Sequence, residues 1–487
     1  MSALLPLLIL ATSLVPAMVI FWLSETAVRT RTALNLAGAV LKLVLVVVLM
    51  LDVAAGELHE ARFDLAPGLY MLLRVDALAL LFVSLSALLW LLTTLYAIAY
   101  FGDSPNLSRF FGFFSLCVAA TTGLALAGSL ITFFIFFELL TLSTWPLVVH
   151  KQDRASIAAG RLYLAYSLPG SAALLVAIVW LESATGPVVF AEPADLDVHG
   201  TASLVAIFAL FVGGVGVKAA LVPLHGWLPA AMAAPAPVSA LLHAVAVVKA
   251  GAFGVVRAIY DVFGIARVAE LGVGLPLAVV ASVTIIWGSL RALQQSELKK
   301  RLAYSTVSQV SYIVLGAALS GPFAVIGGLV HLVHQGLMKI TLFFCAGIYE
   351  QQVGAKRIAD LDGVGPRMPW TSVCFTIGAM GMIGIPPVAG FVSKFYLGLG
   401  GLQAGAPWVL AVLAASALLN AAYFLPVVYR IWFGIASAAQ PMPEERSLGM
   451  IVPAVATAAA SLLAGLFAGS ALSPLGWAGL IAEGYLG

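Results

Sequence analysis

An all-α, polytopic membrane protein of about fourteen transmembrane helices is the fold class this sequence predicts, and three observations predict it. The chain is 62% hydrophobic and only 9% charged, whereas soluble proteins carry about a quarter charged residues. Apolar stretches of about 20 residues, long enough to cross the hydrocarbon core, recur from one end to the other. None of them alternates polar and apolar residues with a period of two. They are therefore helices, which satisfy their own backbone groups in lipid, rather than strands of a barrel.

The spans fall at roughly 4–22, 33–52, 76–101, 110–128, 129–149, 157–181, 202–222, 236–260, 271–292, 303–320, 323–349, 370–396, 405–433 and 450–470. Met1 is followed by no basic segment, so the first is expected to be a retained helix rather than a cleaved signal. Only Gly128-Ser129 separates the fourth from the fifth. The seventh contains Lys218 and is followed by Pro223, His225 and Pro229, so it is expected to break. The twelfth, "GAMGMIGIPPVAGFVSK" at 378–394, carries Gly378, Gly381, Gly384, Pro386-Pro387 and Gly390 and is expected to break as well. Broken backbone at membrane depth is tolerated only where protein covers it or a cavity is lined by it. One interrupted, lysine-bearing segment in each half points to a transporter built from repeats. The layout is three N-terminal helices (1–109), a first five-helix repeat (110–260), a second (271–435), and a last helix with a tail (450–487).

Net charge is only +2, but the charges are unevenly placed. With the N-terminus outside, fifteen of the 24 Lys and Arg fall in loops of the inner side, from Arg29 to Arg446, densest at 291–301 and 356–367. Arg62, Arg74, Arg257 and Arg267 fall outside. The connection 182–200 has four acids and no Lys or Arg. The positive-inside rule therefore places both termini outside. The basic run at 297–301 is an inner anchor rather than a nucleic-acid patch. Cys117, Cys345 and Cys374 are isolated, without metal-ligand spacing. There is no Rossmann fingerprint, nucleophile elbow or iron–sulfur cysteine cluster. Nor is "FVGGVGVKAALVPLHGWLP" (211–229) a phosphate loop: Val217 separates Gly216 from Lys218, and Ala219 has no hydroxyl. No bound cofactor is expected.

Six ionisable residues remain inside spans: Lys42, Glu138, Lys218, Lys249, Lys339 and Lys394. Left facing lipid they would cost on the order of 15–20 kcal/mol together, so they are expected to face protein or water and to mark an ion or proton pathway. Glu138 sits in "FFIFFELLTL" and is a carboxylate whose proton affinity a nearby cation would control. Lys218 and Lys249 lie in consecutive spans, where desolvation suits a lysine to release and rebind a proton. His243 precedes Lys249 by six residues. His331, His334 and Lys339 share the eleventh span on broadly one side, and imidazoles suit proton relays. Lys42 has no recognisable companion and is left unassigned, with snorkelling to an interface as its bland alternative.

"PLHGWLPAAMAAPAPVSALLHAVAVVKAGAFGVVR" (223–257), with "FFELLTL" upstream and "GIPPVAGFVSKF" downstream, resembles the antiporter-like proton-translocating subunits. Such subunits occur in respiratory complex I, membrane-bound hydrogenases and Mrp-type cation/proton antiporters, and the likeness spans about 70–435. It implies two inverted five-helix repeats, each with a half-channel and a broken helix. By that resemblance Glu138 and Lys218 are the paired carboxylate and lysine, Lys249 the central relay, Lys394 the terminal lysine, and His331 a family histidine. Gln335 and Ala236 depart from the family pattern, which has His and Thr or Ser there. A lysine at 394 is similar to the D-type proteins of Mrp antiporters and to some quinone-side complex I subunits, and with a chain ending near 487 without a long lateral helix the D-type class is favoured. The resemblance implies a Na+ or K+/proton antiporter subunit in a cell membrane, with other membrane subunits as partners. The alternative is the pump module of a redox-driven complex.

Overall fold

The structure is a computed structural model that describes residues 4–486 apart from 68, 191, 193, 436–444 and 446. Arg446, one of the charges assigned to the inner side, lies outside the described residues. Helices follow one another as α1 (Leu4–Trp22), α2 (Val28–Ala54), α3 (Ala77–Phe101), α4 (Leu107–Ala125), α5 (Leu130–Val148), α6 (Arg154–Thr185) and α7 (Thr201–Lys218). The helical stretch α8 (Ala236–Val262) comes next. Then follow α9 (Gly274–Leu293), α10 (Leu298–Leu319), α11 (Pro322–Val353), α12 (Pro369–Ile383), α13 (Ala389–Gln403), α14 (Trp408–Phe433), α15 (Leu448–Leu466) and α16 (Pro474–Leu486). Among the described residues thirteen helices are long and apolar enough to cross a membrane. The one predicted span not among them, the twelfth (370–396), is the broken pair α12 and α13.

The breaks form where the sequence provides helix breakers. Ser129 caps α5 by accepting a bond from Thr132 N at 3.3 Å, which separates α5 from α4. After α7 the chain runs through 219–226 to a short helix, Trp227–Ala230. Gly384 ends α12 at φ +97°, a conformation that glycine reaches without a Cβ penalty. The stretch α8 is interrupted by π-helical turns at Leu241–Val245, which hold His243, and at Ala258–Val262. Such wide turns mark functional positions in helices.

The chain groups into two compact units. The first comprises Met1–Leu91, Ser104–Trp227 and Val245–Leu277; the second, Leu92–Asp103, Leu228–Ala244 and Ala278–Gly487. Within the first, α4 packs on α1 and α5, and α7 packs on α6 and on the Val247–Arg257 part of α8. Within the second, α11 is central, touching α10, α12, α13, α15 and α16, and the most apolar window of α11 is wholly buried.

Two elements escape the sequence reading. An antiparallel hairpin, β1 (His59–Ala66) and β2 (Leu69–Val75), fills the connection before α3. The terminal α16 is too short for a spanning pattern. Arg257 also needs correction. It is not an outer-loop charge but a fully buried residue of α8, bonded to Asp76 and Asp261 at 2.8 Å each.

Candidate functional site

In the first unit the site is built where α7 stops. Lys218 is the last residue of α7 and 1% exposed. The sequence carried the span on to 222 before its expected break; the helix instead ends at Lys218, which puts the ammonium at a helix C-terminus, where the macrodipole is negative. Nζ donates to Phe137 O at 3.1 Å, bonds Thr141 Oγ1, and lies 3.8 Å from the Phe137 ring centroid. All of these acceptors belong to α5 and flank Glu138, which lies between them in sequence. Among the described residues no carboxylate oxygen comes within 4.0 Å of this ammonium, and Glu138 Oε1 is buried without a hydrogen-bond partner. The expected ion pair is therefore present as neighbours and open as a bond.

Two further contacts hold this arrangement. The indole of Trp227, just past the break, donates to Val217 O at 2.8 Å and satisfies a carbonyl that the ended helix leaves free. A Cβ on Gly251 would overlap Ala219 N and the Lys218 carbonyl carbon, so α8 can approach Lys218 only with glycine there. Lys249, fully buried, stands two residues from that contact, and the fold thus gathers Glu138, Lys218 and Lys249 into one unit.

In the second unit the corresponding break is closed by a lysine. Lys394, six residues into α13, reaches back to donate to Met382 O and Ile383 O at 2.8 Å each, the last carbonyls of α12. Asn420 also donates to Met382 O, at 3.0 Å. The Tyr312 ring lies 5.4 Å from Lys394 Nζ and 5.1 Å from the His331 ring, so one aromatic of α10 stands beside both residues. His331 Nδ1 bonds Ser393 Oγ at 2.7 Å.

The remaining predicted residues are dispersed along α8 and α11. Lys339 donates to Leu302 O at 3.4 Å and bonds Ser305 Oγ. His243 lies against Phe343, ring centroids 4.6 Å apart. His334 and Gln335 are fully buried, and none of their side-chain polar atoms has a hydrogen-bond partner. His331 and Lys339 bond to different helices, α13 and α10, so their shared helical side does not make a continuous relay by itself. Sequence reasoning missed Thr141, Tyr312, Ser393 and Ser305. Thr141 had a signal, standing one turn after Glu138; Tyr312 had none, because it meets His331 and Lys394 only through packing.

Lys42 does not snorkel. It is fully buried, donates to Ser13 Oγ at 2.8 Å and Thr122 Oγ1 at 2.7 Å, and lies 5.0 Å from the Trp90 ring.

Residues 127–420, more than half of the chain, match the family described as NADH:quinone oxidoreductase/Mrp antiporter, transmembrane. The chain belongs to that family. NADH-quinone oxidoreductase subunit N of Desulforudis audaxviator (strain MP104C) is 36% identical over 410 residues, 81% of each chain. Hydrogenase-4 component B of Escherichia coli (strain K12) is 31% identical over 451 residues, 86% of this chain and 65% of that longer protein. A chain of the Mrp complex from Dietzia sp. DQ12-45-1b superposes with a TM-score of 0.83 at 26% identity, covering 99% of this chain and 100% of that one. This protein is thus an antiporter-like membrane subunit of the NADH:quinone oxidoreductase/Mrp family.

Proposed function

We propose that the chain is the proton-translocating subunit of a multisubunit monovalent cation (Na+ or K+)/proton antiporter, and that it works beside other membrane subunits in a cell membrane. The observation that carries this reading is the arrangement at the two breaks. In each unit a lysine, buried at Lys218 and half-buried at Lys394, is held at a helix C-terminus by neutral oxygens beside an aromatic ring, and among the described residues no carboxylate oxygen lies within 4.0 Å of either ammonium. A lysine so held can release its proton and rebind it.

The coupling is electrostatic. Swinging Lys218 from Phe137 O and Thr141 to the Glu138 carboxylate on the same helix brings two opposite charges into contact. At about 4 Å and effective dielectrics of 20–80 that is worth about 1–4 kcal/mol, and each ~1.4 kcal/mol is a tenfold change in proton affinity. Protons then pass by way of Lys249 in the first unit. In the second unit His243, Lys339, His331 and His334 are the candidate relay groups and Lys394 the terminal donor. The two five-helix sets act as inverted repeats, each providing one half-channel.

Lys218→Ala and Glu138→Ala are each expected to abolish cation-dependent proton exchange in membrane vesicles, with normal amounts of assembled complex on native gels. Exchange at the wild-type rate would sink the reading. A second reading has a specific observation in its favour: the 36% identity to a quinone oxidoreductase subunit extends over 81% of both chains. In it the same lysines pump protons for a redox-driven complex. Purification in mild detergent with mass spectrometry separates the two. Small membrane subunits alone fit the antiporter; co-eluting flavin, iron–sulfur or nickel proteins fit the pump.

A further inference from the structure

Among the described residues, buried and half-buried cations are held in at least two ways. Arg257 is clamped by Asp76 and Asp261, and Lys299 by Glu350 at 3.1 Å; such pairs fix the charged state and the packing. Lys218 and Lys394 are held otherwise, each by two uncharged oxygens beside an aromatic ring. Lys42 belongs with the second group. Its acceptors are Ser13 Oγ and Thr122 Oγ1, its ring is Trp90, and among the described residues no carboxylate oxygen lies within 4.0 Å of Nζ. Yet Lys42 sits on α2, outside both five-helix sets.

The local chemistry accommodates both protonation states. Ser13 donates its own proton to Leu10 O and Thr122 donates to Val118 O, so both hydroxyl oxygens are left as acceptors. A neutral amine satisfies both with its two N–H groups. An ammonium keeps both bonds and turns its third proton towards the indole face.

The surroundings also supply a polar seam. Along the seam between α2 and α4, Arg31 donates to Ser108 Oγ at 2.9 Å and Ser115 donates to Asn35 Oδ1 at 2.7 Å. Lys42 and Thr122 form the third polar rung, at regular seven-residue steps on α4. Beyond it, the buried residues of α2 are Val46 and Leu49, and the polar seam stops. Charged and titratable groups on the elements packed here are few. Helix α1 has none, α3 carries Tyr96 and Tyr100, α4 carries Arg109 and Cys117, and His59 of β1 pairs with Asp52 at 3.1 Å. On α2 the flanking charges Arg31 and Asp52 are roughly 15 Å from Lys42 along the axis.

We propose that Lys42 is an additional proton-carrying lysine at the blind end of this α2–α4 seam. The Nζ–H bond breaks, the proton leaves past the hydroxyl and amide rungs and Arg31 to the half-exposed Glu25 carboxylate, which lies 3.9 Å from Arg31 and forms the new O–H bond, and nitrogen keeps the electron pair until a proton returns by the same route. The inference rests on the proton-translocating reading above.

The test uses the assembled complex carrying Lys42→Arg, Lys42→Met, Thr122→Val or Lys218→Ala. Arginine keeps the charge and the donors but does not release its proton in proteins. Both Lys42 variants are expected to lower cation-dependent proton exchange at least tenfold. Thr122→Val is expected to move the pH profile of exchange towards acid. In a difference titration of the purified complex, Lys42→Met is expected to release one proton fewer than wild type. Lys42→Arg exchanging at the wild-type rate would show a purely charge-holding role and overturn the proposal, as would an unchanged titration of Lys42→Met. Full activity of Lys218→Ala sinks the reading of the repeats instead, and the titration still decides Lys42.

Discussion

Thr141 shows what a single residue does here. Its hydroxyl and the Phe137 carbonyl are the two oxygens on Lys218, and losing a hydrogen bond to a charged group costs about 1.5–3 kcal/mol. Thr141→Val keeps the shape and removes that oxygen, so a fall of about tenfold or more in exchange, without loss of assembled protein, is expected in vesicle assays. Outside the spans His150 behaves differently. Burial first, and then the nearby Arg109, push its imidazole down from 6.5 to about 4. Between those values the unfolded chain takes up a proton that the folded one refuses. The stabilising effect of the neutral ring is complete above pH 6.5 and is lost as pH falls towards 4. Thermal unfolding in detergent should therefore show a smaller loss between pH 7 and pH 5 for His150→Gln than for wild type. The candidate lysines were legible singly, because a charge amid twenty apolar residues stands out. Their partners were not: Ser13, Thr122 and Tyr312 are ordinary residues in apolar helices until packing sets them beside a lysine.

Elements made of the same kind of sequence do different work depending on where they break. The breaks after α7 and α12 were readable from Pro and Gly, but the way each is closed was not. An indole closes the first and an ammonium the second. The approach of α8 to Lys218 depends on Gly251, whose absent Cβ leaves room for the Ala219 amide. Gly251→Val forces that backbone apart, and overpacking of this kind costs about 1–3 kcal/mol or more. Loss of exchange together with a lower melting temperature in detergent is expected. Gly213→Ala, at a glycine with open space around its Cβ position, is the matched control and should do neither. The hairpin β1–β2 escaped the sequence reading because a search for spans passes over a short connection, and because only some of its residues, such as Leu72 and Leu73, are buried.

At the scale of the molecule, orientation is the open physical variable, and loop charge is what sets it. Removing Arg257 from the outer set sharpens the asymmetry, since that charge is neutralised inside the fold by two aspartates. All three native cysteines are buried, so single exposed cysteines can report sidedness. A membrane-impermeant maleimide is expected to label Val198→Cys in intact cells and Ser296→Cys only after permeabilisation. The opposite pattern would reverse the topology. Membership of the family follows from residues 127–420, and the likeness to a chain of the multisubunit Mrp complex fits a protein that stands beside other membrane subunits.

The sequence by itself determined the class, the approximate positions of the spans, the two breaks and the identity of the lysines within them. Those follow from local rules: the length of an apolar run, the backbone limits of Pro and Gly, and the cost of a charge in lipid. Tertiary structure alone decided what each lysine touches. It left Lys218 beside Glu138 but bonded to Phe137 and Thr141, turned Lys394 back onto the end of α12, and buried Lys42 among two hydroxyls and an indole. Such contacts join residues from 29 to 80 positions apart for Lys42 and 77 to 81 for Lys218. Only the packing of helices on one another brings such distant positions together, and no local pattern encodes it.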